Sequence, residues 1–392
     1  MKKIERLGKY ISEYSVRNKN DEDIKVYSVT NTNGFCTEYF DKDVASKDQT
    51  NYKIVPKGYF AYNPSRINVG SIDCQSVEDR VIVSPLYVVF KADERIDNDY
   101  LLHYLKSDIG KKYINELASG SVRANLKFSI LQDFPFPMIP IEEQKEKMAV
   151  IAKVDESIAY CDSIIEKLDL AVKSRFIEMF GDPVDNEKNW VTMPLEKACE
   201  QIVDCPHSTP KYTEENTGYM CIRTSIVKRN SILWDEIEYI GKEEFDQRIK
   251  RRKPQKGDIV YTREGGILGI AAIIDRDCDV ALGQRSMLLS PDTEKCLSEY
   301  LCTTMNMESF FNKMTEGVIG SAAPHINVGD IKAFHIMLPP VELQKNFICF
   351  QKEVDKSKLA VQKVRKILEK DYRCYWEGEL LHEIQLFIFK RK

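Results

Sequence analysis

Residues 261–275 read YTREGGILGIAAIID. A short apolar run enters Gly265, Gly266 and Gly269 and another leaves, the local build of a loop that cradles a nucleotide or S-adenosylmethionine. That chemistry needs a helix N-terminus straight after the glycines, so that N–H groups and the helix dipole face the phosphates. Residues 270–274 are instead β-branched and alanine-rich and stop at DRDCD, too short for a helix and right for a returning strand. The stretch reads as strand–turn–strand. Other candidates are as incomplete. An adenine methyltransferase holds its target amine with Asn/Asp-Pro-Pro-Tyr/Phe, and the nearest match, Asn63-Pro64-Ser65, lacks the second proline and the aromatic residue. No G-x-x-x-x-G-K-[ST] loop occurs, and Glu264 stands without the acidic cluster and lysine of a nuclease. None of the five histidines sits in a recognisable catalytic arrangement, and Cys199, Cys205 and His207 fit no common zinc spacing. The chain is therefore expected to do no catalysis of its own and to hold no cofactor or metal.

What remains are polar stretches suited to nucleic acid. Residues 247–256, QRIKRRKPQK, carry six basic residues and no acidic one: Arg248, Lys250, Arg251, Arg252, Lys253 and Lys256. They are placed to neutralise phosphates, each contact adding sequence-independent, salt-sensitive affinity; the alternative is a solvated basic face. Two polar loops, SGSVRANLK at 119–127 and IGSAAPHIN at 319–327, keep glycine and serine in place while Arg123 and Asn125 stand against Ala323 and His325. A fixed frame with varying polar side chains suits two domains of one fold that read different ligands; the alternative is an ordinary solvated loop.

Those loops align because the chain is a duplication. At an offset of 200, Tyr100-Leu101 meets Tyr300-Leu301, Pro140 meets Pro340, Gln144-Lys145 meets Gln344-Lys345, and Val154-Asp155 meets Val354-Asp355. Upstream the offset becomes 199, pairing Gly58 with Gly257, Tyr62 with Tyr261 and Gly70 with Gly269. In the first copy the glycine loop reads YNPSRINVGSIDC, with Arg66-Ile67 in place of Gly265-Gly266. A cofactor loop would not survive that exchange, whereas a hairpin would.

Each copy is a globular part followed by a long helix. Strands are expected at 26–29, 53–55, 81–83 and 86–90, then at 259–261, 270–274 and 287–289, with one helix near 99–117 and one near 298–316. Proline-bracketed strands, FPFPMIPIEEQ and FHIMLPPVELQ, end each part and start each long helix. Ile151, Ile158, Ile165, Val172 and Met179 recur every seven residues, with Val154, Cys161 and Leu168 three further on. Phe347, Val354, Val361 and Leu368 form the second seam, with Phe350 and Val364 beside it. The economical arrangement buries each seam against the other, as antiparallel helices; each packing on its own domain is the alternative. If the seams pair, apolar residues left exposed, such as Ile164, Leu170 and Ile177, predict docked partners.

The expected class is α+β: two similar mixed α/β domains separated by two long helices pairing as an antiparallel coiled coil. The boundaries are 1–140 and 182–340 for the globular parts, 141–181 and 341–378 for the helices, and 379–392 for a tail. The 392 residues carry a formal charge of −4, a weak argument against nucleic acid that local patches override. Eleven cysteines without a C-x-x-C pair suggest reduced thiols and a cytoplasmic protein, and neither a signal peptide nor a membrane span is expected.

The stretches KGDIVYTREGGILGIAAIID, LGQRSMLL, PMIPIEEQKEKMAVI, LPPVELQKNF and SRFIEMFGDP resemble the specificity subunit of type I restriction-modification systems, over about residues 1–370. The resemblance implies two target recognition domains, each reading half of a split DNA sequence. It implies helices that act as spacer and dock two methyltransferase subunits, with motor/nuclease subunits completing the restriction enzyme and no chemistry in the subunit itself. It departs after Leu368: EKDYRCYWEGELLHEIQLFIFKRK does not repeat SRFIEMFGDP, although Trp376 falls 200 residues from Phe176. The loops nominate DNA contacts: Arg66, Arg123, Asn125 and Lys127 in the first domain, and Arg251, Arg252, Arg263 and His325 in the second. Arg263, in a fold-defining loop, has pinning that loop as an alternative role.

Overall fold

The computed structural model describes residues 3–37, 48–118, 125–318, 324–373 and Trp376. The chain divides into two compact units, residues 1–162 with 363–392, and residues 163–362. Each holds one globular part and a stretch of both long helices.

The first unit is built on four antiparallel strands in the order Ile11–Glu13, Val88–Ala92, Phe60–Tyr62, Ile72–Cys74. The second has the same sheet, ordered Cys199–Asp204, Ser286–Pro291, Ile259–Thr262, Ala271–Ile273. Phe60 pairs with Phe90 and Cys74, and Ile259 pairs with Leu289 and Ile273. All three positions differ by 199 residues, so the register is common to both sheets. Alternation along the central strand divides two cores. Phe60 and Tyr62 pack toward the helices while Ala61 packs on the opposite layer; Ile259 and Tyr261 divide from Val260 in the same way. Both faces are covered, which is why these strands read as continuous apolar runs.

The helix expected at 99–117 is two helices, Asn98–Lys106 and Asp108–Ala118; that at 298–316 is Ser298–Asn306 and Glu308–Thr315. The breaks fall at Ser107 and Met307, whose ψ angles of 163° and 143° are extended. The Ser107 Oγ accepts from the Gly110 N–H at 3.1 Å and so caps the second helix. Gly110 is required there, because a Cβ would stand 2.2 Å from the Tyr104 carbonyl oxygen. The first helices present matching tyrosines: the Tyr100 hydroxyl donates to the Pro137 carbonyl and that of Tyr300 to the Met337 carbonyl, both at 3.1 Å.

The proline-bracketed strands form two-stranded ladders, Lys3–Arg6 with Pro135–Met138 and Thr192–Pro194 with His335–Met337, where a missing N–H is tolerated. The long helices Ile141–Phe180 and Val341–Arg373 follow. One buried glutamine fastens each start. Gln144 accepts from the Asp97 N–H and donates to the carbonyls of Arg95 and Ile139. Gln344 accepts from Leu297 and donates to Lys295 and Pro339, the same three bonds 200 residues on.

Within the second unit, Phe347 meets Phe176 and Phe180 at ring distances of 5.5 Å, and further along Lys358 reaches Asp169 at 2.6 Å. Contacts that advance along one helix retreat along the other, so the two segments run in opposite directions. In the first unit Arg365 pairs with Asp162 at 2.7 Å. Ile151 and Val354 are buried seam residues, but Val364 is 51 % exposed and does not belong to the seam. Trp376 is buried in the first core, edge-on to Tyr100 at 5.4 Å, and Phe176 stacks on Tyr300 at 5.7 Å in the second. The divergent helix end thus keeps the packing position. Residues 379–392 lie outside the described residues. No helix among the described residues is long and apolar enough to cross a membrane.

Candidate nucleic-acid interface

The glycine loop is a hairpin. The Thr262 N–H donates to the Ile270 carbonyl and the Gly269 N–H to the Thr262 carbonyl, and the strand Ala271–Ile273 follows directly. In the first unit Asn63 donates to Ser71, again 199 residues earlier. Gly269 has a φ of +71°, and a Cβ there would stand 2.8 Å from the Phe311 ring. Its counterpart Gly70 has a φ of +93°. These glycines serve turn and packing. Asn63-Pro64-Ser65 is likewise a turn: the Asn63 Oδ1 accepts from the Ser65 N–H and hydroxyl.

The first unit brings three of its four nominated residues onto neighbouring backbone. The Leu126 N–H donates to the Pro64 carbonyl at 3.0 Å, and the Tyr62 hydroxyl donates to the Leu126 carbonyl at 3.0 Å. These bonds set Asn125 and Lys127 beside the loop that carries Arg66, and all three side chains are exposed. Arg123 lies outside the described residues.

The second unit joins the equivalent segments more tightly. The Ile326 N–H donates to the Arg263 carbonyl at 2.8 Å, Gly265 donates to Pro324, and Glu264 bridges His325. His325 is exposed at this junction. Arg263 sits as its alternative role requires: it is 5 % exposed, its guanidinium donates to both Asp204 carboxylate oxygens at 2.9 and 3.1 Å, and it pairs with Glu264. Its donors are spent on fixing the loop. Arg252 is also engaged, with Asp258 and Gln201, while exposed Arg251 donates to the Asp204 carbonyl. The basic run is therefore less uniform than its composition. Arg248 is buried, donating to Glu244 and to the carbonyls of Leu282 and Ser208, and Lys253 pairs with Asp279. Lys250, Arg251 and Lys256 remain on the exposed face.

Sequence reasoning missed Asp204 and Arg285 here, and the carboxylate partner of His207. Asp204 gathers Arg251, Arg263 and His207; the His207 Nε2 lies 3.2 Å from its carboxylate, and the imidazole is largely exposed. Arg285 is exposed at a φ of +74°, receives the Arg263 N–H on its carbonyl, and lays its guanidinium over Gly265. No local pattern announces these partners, which are separated by more than fifty residues for Asp204 and Arg263. Cys199 and Cys205 are buried and do not converge with His207; burial pushes the Cys199 thiol up to about 12. Among the described residues no group of three or more His, Cys, Asp or Glu is arranged to hold a metal.

The family described as type I restriction modification DNA specificity domain matches twice, at residues 3–170 and 187–369. The chain is 23 % identical over 308 residues to the type I restriction enzyme MjaVIII specificity subunit of Methanocaldococcus jannaschii, covering 73 % of this chain and 72 % of that protein. It is 24 % identical over 283 residues to the EcoKI specificity subunit of Escherichia coli K12, covering 66 % of this chain and 59 % of the relative. Among solved structures, one from work on complex assembly and conformational transition of the type I R-M system aligns with a TM-score of 0.59 at 16 % identity, covering 95 % of this chain and 96 % of the other, a likeness of fold.

Proposed function

Since the chain belongs to the type I restriction-modification DNA specificity family, we propose that it is the subunit that selects the DNA sequence for a cytoplasmic methyltransferase and restriction complex. Each globular part reads one half of a bipartite target. The long helices pair as an antiparallel coiled coil, set the spacing and dock methyltransferase subunits; motor/nuclease subunits complete the assembly. The chain performs no catalysis, and the S-adenosylmethionine, ATP and magnesium of the reaction belong to its partners.

One observation carries this reading. Two units share a sheet register and a glutamine-fastened helix start, yet present different side chains at equivalent loops. One frame with two readouts is what a split target requires. A helix of 40 residues extends roughly 60 Å, longer than one DNA turn of about 35 Å. Leu170 and Ile177 on the first helix and Leu359 and Ile367 on the second are 40–61 % exposed, which suits helix faces covered by partners; Ile164 is half-buried. Arg66, Asn125 and Lys127 are the contacts proposed in the first domain, with Arg123 added on sequence grounds. Arg251 and His325 are proposed in the second, where Arg252 and Arg263 hold the loops that present them.

The test is to co-express the chain with its neighbouring methyltransferase subunit and map methylated adenines across the host genome. A two-part motif with a fixed gap is expected, and replacing residues 1–140 by another recognition domain should change one half alone. A contiguous motif, or none from a stable complex, would overturn the reading.

A further inference from the structure

Arg66 stands in a cleft that the sequence does not reveal. The hairpin of Ser28–Thr30 and Gly34–Cys36 brings its tip against the 63–71 loop, where a Cβ on Gly70 would lie 3.7 Å from the Asn31 Cβ. Asp73 fixes the hairpin: its Oδ2 accepts from the Phe35 N–H at 3.1 Å and occupies the space a Gly34 side chain would need. Two segments distant in sequence thereby enclose a cleft of about 360 Å³, lined by Thr30, Asn31, Arg66, Asn68 and Val69 among others.

The backbone of this cleft is committed, as are the Thr30 and Ser65 hydroxyls, but three of its polar side chains are not. Asn63 donates to Ser71, Ser71 to Arg66 and Leu126 to Pro64, so the loop is tied at both ends. Asn31 and Arg66 are exposed and Asn68 is half-buried, and among the described residues none of the three has a side-chain hydrogen bond or ion pair. Val69 is 55 % exposed beside them. Two free amides, a free guanidinium and an aliphatic tip on a rigid loop match the edges of base pairs in a major groove. Amides bond adenine through its N6 and N7, a guanidinium bonds guanine, and an aliphatic group meets the thymine methyl.

We propose that this cleft is where the first recognition domain reads base identity, with Asn31 and Asn68 as its adenine-selecting residues, Arg66 bonding a guanine edge and Val69 an apolar contact. The proposal rests on the DNA-selecting function above and adds the residues that read. The second unit cannot read with the same loop. Its equivalents of Arg66, Asn68 and Val69 are Gly265, Ile267 and Leu268, and Leu268 packs against the core. The other half of the target is therefore an internal control.

The experiment uses the full chain with its methyltransferase partner, carrying Asn31→Ala with Asn68→Ala, and separately Asn68→Gln. Complex assembly is followed by gel filtration and adenine methylation is mapped. The double variant should lose roughly ten- to a hundredfold discrimination at one or two positions of one half-site, leaving the other half and the gap unchanged. Asn68→Gln, which keeps the amide but moves it, should alter preference at one of those positions. An unchanged motif in both variants overturns the proposal, as does uniform loss of methylation at every site from an assembled or unassembled complex. A wild-type map without a split motif overturns the underlying function instead.

Discussion

The two units hold their helices alike and present their loops differently. Gln144 and Gln344 make the same three bonds, Tyr100 and Tyr300 make the same one, and three strands keep one register. At the loops, Arg66 faces Gly265 across the duplication and Asn125 faces His325, while at the turn before the last sheet strand Leu86, 77 % exposed, faces Arg285. A buried polar group that loses its partner costs its desolvation, which holds such bonds in place. Exposed loop side chains carry no such penalty and are free to diverge. The difference locates structure in the shared bonds and leaves the unshared tips as the place where the proposed readouts can differ.

The largest test of this likeness concerns the helix ends. Phe176→Ala and Trp376→Ala each remove a buried aromatic from equivalent cores and should each cost about 3–5 kcal/mol in urea unfolding. A neutral Trp376→Ala would break the equivalence at its most divergent point. A second test exploits a difference. His103 packs on Trp376 at 4.3 Å and bonds the Tyr372 hydroxyl, while its counterpart Thr303 is buried and does not titrate near neutral pH. Burial lowers the His103 imidazole from its ordinary value to about 4. The folded state therefore binds its proton later than the unfolded chain does. Its stabilising contribution is complete above pH 6.5 and is lost as pH falls toward 4, by about 3 kcal/mol at that point. His103→Thr should flatten the stability of the first unit over that window by this amount; an unchanged slope would show that His103 is not its source. The smallest effect is the sharpest check on symmetry. Gln144→Ala and Gln344→Ala each strand three backbone groups and should each cost roughly 2–3 kcal/mol. Unequal losses, read from paired thermal melts, would mean that the shared bonds do unequal work.

Repetition made much of this legible before any coordinates. The 199 offset predicted that Gly70 and Gly269 do one job, and a loop that tolerates Arg66-Ile67 in place of two glycines cannot depend on them to hold phosphate. What stayed hidden depends on partners remote in sequence. Arg248 looks like a solvated cation in a linear reading, yet the Ser208 and Leu282 carbonyls hold it buried; the loop-pinning role open to Arg263 was legible, but its Asp204 partner was not. The breaks at Ser107 and Met307 were missed because apolar residues continue at helical spacing across both, although Ser107, Asp108 and Gly110 are weak helix formers that mark the first. The cleft between Asn31 and Asn68 was missed because only the folded sheet places one hairpin tip on the other.

The second unit is an uninterrupted run, residues 163–362, inserted within the first. A ribosome therefore releases every residue of the inner unit before it supplies the last piece of the outer one. Trp376 and Arg365, which complete the first unit's core and helix pair, are therefore synthesised after every residue of the inner unit. A premature stop just beyond residue 362 would consequently damage the unit made first and spare the one made second.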